Sequence, residues 1–253
     1  MSDQPHLLTK AQVTRYRGLK QGRNRKQEGL FLLEGVRLCE EAFRSNLKLE
    51  TCIIRKNFDK LTIPNELVTY EATNTQLEQI SDSKNPQGIV CIARIPDKRS
   101  LPSPEPGKIL LVLDRLADPG NMGTIFRSAL WFGVSHILLG PDCVDPYSPK
   151  VVRASMGDLA SLKLHSSDDL KISAEAWKEA AGQVAALHMS GSPLDAYRPQ
   201  QGLFLIVGSE AHGVAQELLD SATSLSIMKI GVGESLNAAM ATGIALYELT
   251  RTS

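Results

Sequence analysis

The spacing of apolar and polar residues changes period several times along the chain. Residues 8–21 read as a basic helix, and Leu30-Phe31-Leu32-Leu33 is a short apolar run of strand type. Val36 to Phe43 has helical spacing, Leu49 to Arg55 is strand-like around Cys52, Ile53 and Ile54, and Gly88 to Ala93 predicts another strand. Thr75 with Glu78 three residues on predicts a capping box opening a short helix. These elements make a small α/β unit over residues 1–94. Ile95 to Gly107 then breaks the rhythm with Pro96, Pro102, Pro104 and Pro106, and reads as a linker over 95–107.

A second unit follows over residues 108–253. Ile109 to Leu113 is apolar at every position, as expected of a strand buried on both faces of a parallel sheet. Ile137-Leu138-Leu139, Gln183 to His188 and Leu203 to Val207 predict further strands; Val151 to Leu159 and Ser173 to Ala181 predict helices. Strands alternating with helices imply an α/β fold with a mostly parallel, doubly wound sheet. After Asp118-Pro119-Gly120 a helix is expected, with Asn121 a natural N-cap. Near the end, Ile227 to Ile230 reads as a strand entering a turn, where Gly231 and Gly233 permit positive φ. Ala238 to Leu249 reads as a helix apolar nearly all round, which must be buried. Ser235 fits its N-cap, which leaves Asn237 and the two glycines without a role.

Composition changes this picture little. The chain has 253 residues, 42% hydrophobic and 22% charged, with no net formal charge, an ordinary globular balance. No apolar run is long enough for a membrane span, and the opening Met-Ser-Asp-Gln-Pro-His has no signal-peptide core, so a cytoplasmic protein is expected. Cys39, Cys52, Cys91 and Cys143 are scattered without a Cys-x-x-Cys pair, which argues for reduced thiols and against a metal site. Charge is uneven, however. Residues 1–26 carry seven basic residues, among them Arg15, Arg17, Lys20, Arg23, Arg25 and Lys26, against Asp3 alone. Such an arm suits a nucleic-acid surface, and a solvated helix face is the competing explanation.

Three glycine-containing loops close predicted elements: Asp118–Arg127, Gly208–Gly213 and Gly231–Asn237. In open α/β sheets, ligands bind beyond the carboxyl ends of the strands. A dinucleotide fingerprint is absent, since Gly120-Asn121-Met122-Gly123 lacks the remaining glycine, and there is no P-loop. His136, His165 and His188 lie in or beside apolar runs, and His212 has no partner nearby in sequence, so no Ser/His/Asp triad is indicated.

Taken together, the loops resemble the three signature motifs of the SpoU (TrmH-type) RNA 2′-O-ribose methyltransferases of the SPOUT superfamily. Asn121 to Arg127 is similar to the first motif, Leu205 to Gly213 to the second, and Ser235-Leu236-Asn237 with the small-residue helix to the third. Phe31-Leu32-Leu33-Glu34-Gly35 and Pro86-Gln87-Gly88 resemble the family's small substrate-binding domain, itself similar in shape to a ribosomal protein. Two positions depart from the pattern: Met228-Lys229 stands where Pro-Met is usual, and Ala239 where Ser is common.

The resemblance implies a C-terminal trefoil knot, S-adenosyl-L-methionine as methyl donor, and a homodimer; the last helix, around Ile244, Leu246 and Tyr247, has more apolar surface than one small sheet edge needs. Val207, Gly208, Ile227, Met228, Leu236 and Asn237 would hold the cofactor. Arg127 would be the catalytic residue, with Asn121, Glu210, Ser235 and Asn237 positioning it, the cofactor and the ribose. Arginine side chains stay protonated in proteins, so a phosphate-holding or alkoxide-stabilising role suits Arg127 better than that of a base. Ribosomal RNA is the expected substrate, with transfer RNA second. A non-catalytic RNA-binding or ribosome-assembly protein of the same fold, and a base methyltransferase of the same superfamily, are the competing classes.

Overall fold

The computed structural model describes residues 6–251; residues 1–5, which include Asp3 and nearly all of the opening segment, and residues 252–253 lie outside the described residues. The strands are β1 (His6–Leu7), β2 (Leu30–Glu34), β3 (Leu49–Arg55), β4 (Thr69–Ala72), β5 (Ile89–Arg94), β6 (Ile109–Asp114), β7 (His136–Leu139), β8 (Lys163–Ser166), β9 (Gln183–Pro193), β10 (Leu203–Gly208) and β11 (Thr223–Ser226). The helices are α1 (Lys10–Gly18), α2 (Gly22–Glu28), α3 (Val36–Arg44), α4 (Asn74–Ile80), α5 (Pro119–Trp131), α6 (Pro149–Ala154), α7 (Leu170–Glu179), α8 (Gln216–Leu219) and α9 (Ala238–Thr250). None of the helices among the described residues is long and apolar enough to cross a membrane. The chain forms two units, Met1–Asp97 with Asp145–Ser161, and Lys98–Val144 with Leu162–Ser253.

The first unit is built on a mixed sheet in the order β1-β4-β3-β5-β2. Alternate residues of β2 point to opposite faces. Leu30 and Leu32 join a core with Val13, Tyr16, Leu19, Leu77 and Ile80. Phe31 is fully buried and packs on Tyr147, with ring centroids 4.9 Å apart. Residues 145–161 therefore cover this sheet, although the sequence pattern assigns all of 108–253 to the other domain. Helix α6 ends at Ala154, and Met156 takes φ 55°, so the expected continuous helix to Leu159 is interrupted. Residues 8–21 likewise hold α1 and a turn, not one helix. The capping box at α4 uses Thr73 and Gln76, two residues before the expected pair.

Arg25 corrects a second expectation. It is 3% exposed, and its guanidinium donates to Leu19 O at 2.8 Å, Lys20 O at 2.9 Å and Asp145 Oδ2 at 2.5 and 3.0 Å. A buried cation survives only when paired and hydrogen-bonded, and Arg25 is paired with Asp145 and uses four of its five N–H donors. It staples the 145–161 segment through Asp145 and is not an exposed member of the basic arm. Arg15, also expected at an RNA surface, pairs with Glu28 at 2.9 Å and Glu50 at 3.1 Å. Arg17, Arg23 and Lys26 remain exposed, and Lys20 is half-buried.

The second unit is a six-stranded sheet in the order β11-β9-β10-β6-β7-β8, every neighbouring pair parallel. β6 and β10 lie at its centre and pair in full register, Leu203 with Ile109 through to Gly208 with Asp114. Their buried positions on both faces explain why they read as unbroken apolar runs. From β6 the chain runs outward through β7 and β8 on one side; on the other it places β9, then inserts β10 against β6. That reversal puts the topological switch at β6 and β10, where a crevice opens beyond the strand ends. The proline-rich stretch lies on this unit: Leu101 packs against its core, and a Cβ at Gly202 would come 2.6 Å from the Pro104 backbone.

Candidate active site

Three segments leave the carboxyl edge of the sheet. The first follows β6. Asp114 is 3% exposed; its carboxylate accepts two bonds from Arg115 at 3.0 Å each and one from Ala215 N at 2.8 Å. The bond to Asp114 raises the Arg115 pKa above its ordinary value and so holds its charge. This pair ties the end of β6 to the segment after β10, and sequence reasoning missed it. The available signal was an acidic residue closing an otherwise apolar strand.

Helix α5 begins at Pro119, the first-turn position proline favours. Its cap is Asp118, which accepts from Asn121 N at 2.7 Å. Asn121, expected to be the cap, is therefore not the cap, and its side-chain amide is left for other work. Met122, Ile125, Phe126 and Ala129 bury the inner face of the helix. Arg127, two turns into α5, is exposed and makes no hydrogen bond or ion pair among the described residues. At a rise of ~1.5 Å per residue its Cα sits about 9 Å along the axis from that of Asn121.

The second segment follows β10, whose buried Val207 and Gly208 complete the strand. Gly213 N donates to Ser209 O at 2.8 Å, closing a tight turn. A Cβ at Gly208 would stand 2.1 Å from the Gly213 carbonyl carbon, so glycine is required here by the protein's own backbone. Glu210 is exposed on this turn.

The third segment, 227–237, is not the expected strand. β11 ends at Ser226, whose partner in register is Pro193, a residue with no N–H to continue a ladder. Beyond it the backbone of residues 227–236 makes no hydrogen bond among the described residues. Ile227 is half-buried, while Met228, Lys229, Ile230, Val232 and Leu236 are exposed. Neither Gly231 nor Gly233 has a positive φ. Ser235 is exposed and does not cap α9; Asn237 does, accepting from Ala239 N at 2.9 Å and Met240 N at 3.3 Å.

The three segments meet through one line of side chains. Asn237 Nδ2 donates to Asn121 Oδ1 at 2.9 Å, and Asn121 Nδ2 donates to Glu210 Oε1. The Glu210 carboxylate fixes which way the Asn121 amide faces, and Asn121 in turn fixes Asn237 at the start of α9. Of the expected positioning residues, Asn121, Glu210 and Asn237 are brought together; Ser235 and Arg127 are not bonded to them. Helix α9 packs on α5, and its small residues Ala238, Ala239, Thr242 and Ala245 are buried. Met240, Ile244 and Tyr247 stay exposed on α9, as does Trp131 on α5, so α9 is not buried all round; Leu246, expected at the surface, is fully buried.

The bonded line offers a carboxylate and two oriented amides, a stretch of unpaired backbone with exposed apolar side chains leads up to Asn237, and Arg127 lies farther along α5 with its guanidinium free. A flat heterocycle joined to a charged amino acid suits such a lining. Adenine edges pair with backbone N–H and C=O groups, and its faces pack on apolar side chains such as Met228 and Leu236. S-adenosylmethionine therefore fits the residues present.

Comparison with known proteins places the same stretches in a described family. The model of the SpoU rRNA Methylase family matches residues 108–247, and that of an MRM3-like substrate binding domain matches residues 10–91. An uncharacterized tRNA/rRNA methyltransferase of Synechocystis is 33% identical, over 94% of this chain and 90% of its own. The 23S rRNA (guanosine(2553)-2′-O)-methyltransferase RlmP of Bacillus subtilis is 26% identical, over 94% of this chain and 95% of its own. Among solved structures, an AdoMet-bound rRNA methyltransferase from Sinorhizobium meliloti superposes with a TM-score of 0.85 at 31% identity, covering 98% of this chain and 97% of that one.

Proposed function

The chain belongs to the SpoU rRNA methylase family, and from that membership we propose that it transfers a methyl group from S-adenosylmethionine to a ribose 2′-hydroxyl of ribosomal RNA. The observation that carries this reading is the bonded line Glu210–Asn121–Asn237, which ties three loop ends at the switch point of the sheet. The relatives support it: RlmP is a 2′-O-methyltransferase of 23S rRNA, and the S. meliloti rRNA methyltransferase binds AdoMet.

The cofactor, when bound, supplies an electrophilic methyl group. Ile227, Met228 and Leu236 would hold it through the unpaired backbone of 227–236 and the exposed side chains there, with Val207 and Gly208 at the end of β10 and Asn237 at the start of α9 bounding the same crevice. Glu210, Asn121 and Asn237 keep the loops in register, so that the ribose meets a fixed surface. Such positioning is worth up to ~7–11 kcal/mol of barrier. Ser235, exposed on the same loop, is within the segment that faces the ribose in this reading. Arg127 binds the RNA phosphate beside the reacting ribose and stabilises negative charge growing on the 2′-oxygen. Arg17, Lys20, Arg23 and Lys26 of the first unit add phosphate contacts.

The reading extends to a trefoil-knotted C-terminal segment, a cytoplasmic location and a homodimer. Met240, Ile244 and Tyr247 recur at helical spacing on the exposed side of α9, and a second copy of the chain covers them.

Calorimetry with S-adenosylmethionine, paired with a methyl-transfer assay on ribosomal RNA, tests the assignment of roles. Arg127→Ala is expected to abolish transfer while cofactor affinity stays within a few-fold. A collapse of cofactor binding in that variant would make Arg127 structural.

A further inference from the structure

Far along the sequence from the three loops, the first unit contains a half-open cavity of about 180 Å³. Buried Leu38 and Ile89 and half-buried Met156 line its inner part, and exposed Arg37, Asn85 and Gln87 its mouth. The wall satisfies its own polar groups first. Glu34 accepts from Ser81 Oγ at 2.6 Å, Asp82 N at 2.6 Å and Ser83 N at 3.2 Å. Gln87 Oε1 accepts from Val36 N at 2.9 Å, and Arg153 donates to Asp82 at 3.1 Å. Gly35 has φ 97°, and a Cβ there would come 2.9 Å from Gln87 Oε1, so only glycine leaves Gln87 seated.

Three groups at the mouth are left without a hydrogen bond among the described residues: the Arg37 guanidinium, the Asn85 amide and the Nε2 of Gln87. Met156 reaches the cavity from a backbone in the left-handed region, φ 55°, a conformation that is strained for a non-glycine residue. Side-chain amides able to donate and accept, an apolar lining with a thioether, and an unpaired guanidinium are the partners of a nucleobase edge, a nucleobase face and a phosphate respectively. A base held in a duplex cannot offer its face and edge together, whereas an unpaired one can.

We propose, resting on the RNA reading above, that this cavity takes one unpaired nucleotide of the substrate. Its base lies against Met156 and Ile89, its edge meets Asn85 and Gln87, and its phosphate meets Arg37. Arg153 holds the wall through Asp82 and is not a primary contact.

The test uses the full chain and two labelled probes, an RNA hairpin with a single-stranded loop and a fully paired duplex of equal length, followed by fluorescence anisotropy. Arg37→Ala and Asn85→Ala remove exposed, unbonded side chains. Each is expected to weaken hairpin binding roughly five- to tenfold and leave duplex binding unchanged. Lys84→Ala removes a neighbouring charge outside the cavity and is the electrostatic control, expected to act on both probes alike. Photo-crosslinking of a 4-thiouridine hairpin should label residues 81–89 or 153–157. Wild-type protein that binds neither probe overturns both the RNA reading and the cavity. Wild-type protein that binds the hairpin, with both cavity variants equal to it or no weaker than Lys84→Ala, overturns the cavity alone.

Discussion

Arg25→Ala separates a structural arginine from the basic arm in which it lies. The side chain is 3% exposed and makes four bonds, two to backbone carbonyls and two to Asp145. Removing one partner of a buried ion pair costs about 3–5 kcal/mol. The Asp145 side chain is 29% exposed, so water replaces part of what it loses, and about 2–3 kcal/mol is the expected cost. At roughly 4 °C per kcal/mol for a unit of this size, the melting of the first unit falls by about 8–12 °C. Differential scanning calorimetry reads this directly, with Arg23→Ala as the exposed neighbour, expected within about 0.5 kcal/mol of wild type. Hydrogen exchange should show residues 145–161 losing protection in Arg25→Ala. An Arg25→Ala protein that melts with wild type, yet binds RNA less well, would refute the structural assignment and restore the surface one.

Neutralising Arg17, Arg23 and Lys26 together should weaken RNA binding across sequences and flatten its salt dependence by roughly 0.7–0.9 in log–log slope per lost phosphate contact; an unchanged slope makes the arm a solvated surface. His136 and His165 stack with Nδ1 and Nε2 3.0 Å apart, and burial holds both below their ordinary pKa, with the charges of Lys163 and Arg99 adding to it and a hydrogen bond to Arg99 O opposing it at His165. The unfolded chain therefore binds more protons as pH drops, so this pair's stability is present above about pH 6.5 and is lost as pH falls from there through the folded values. Melting of wild type should decline more steeply below that point than melting of His165→Gln, and equal slopes would remove the pair as the cause. Ile244→Arg, placing a charge on the exposed stripe of α9, should convert a dimer to a monomer by light scattering; a wild-type monomer at micromolar concentration rejects the dimer outright.

Much of the second unit was legible because its central strands are buried on both faces. Ile109–Asp114 and Leu203–Val207 could hardly be anything else, and the glycine and polar residues after them mark the sheet's open edge. β4 and β8 were missed because they are short, half-exposed and rich in polar residues, with no period to detect. Ile227–Ile230 looked like a strand by composition, but pairing depends on the neighbour, and Pro193 ends the ladder one residue earlier. Asp118 and Asn121 are both capping types; Pro119 as first helical residue settles it for Asp118, and that is what frees Asn121 to bridge Glu210 and Asn237. The burial of Arg25 and the return of 145–161 to the first unit are tertiary facts. Periodicity along the sequence carries no trace of them.

In the proposed function, three loop ends position a ribose hydroxyl for methylation. The direct measurement is incubation of the protein with ribosomal RNA and isotopically labelled S-adenosylmethionine, then complete digestion and mass spectrometry of the nucleosides. Label is expected on the ribose of a 2′-O-methylnucleoside, and none with Arg127→Ala. Label on a base, or the same ribose label in the Arg127→Ala protein, would contradict it.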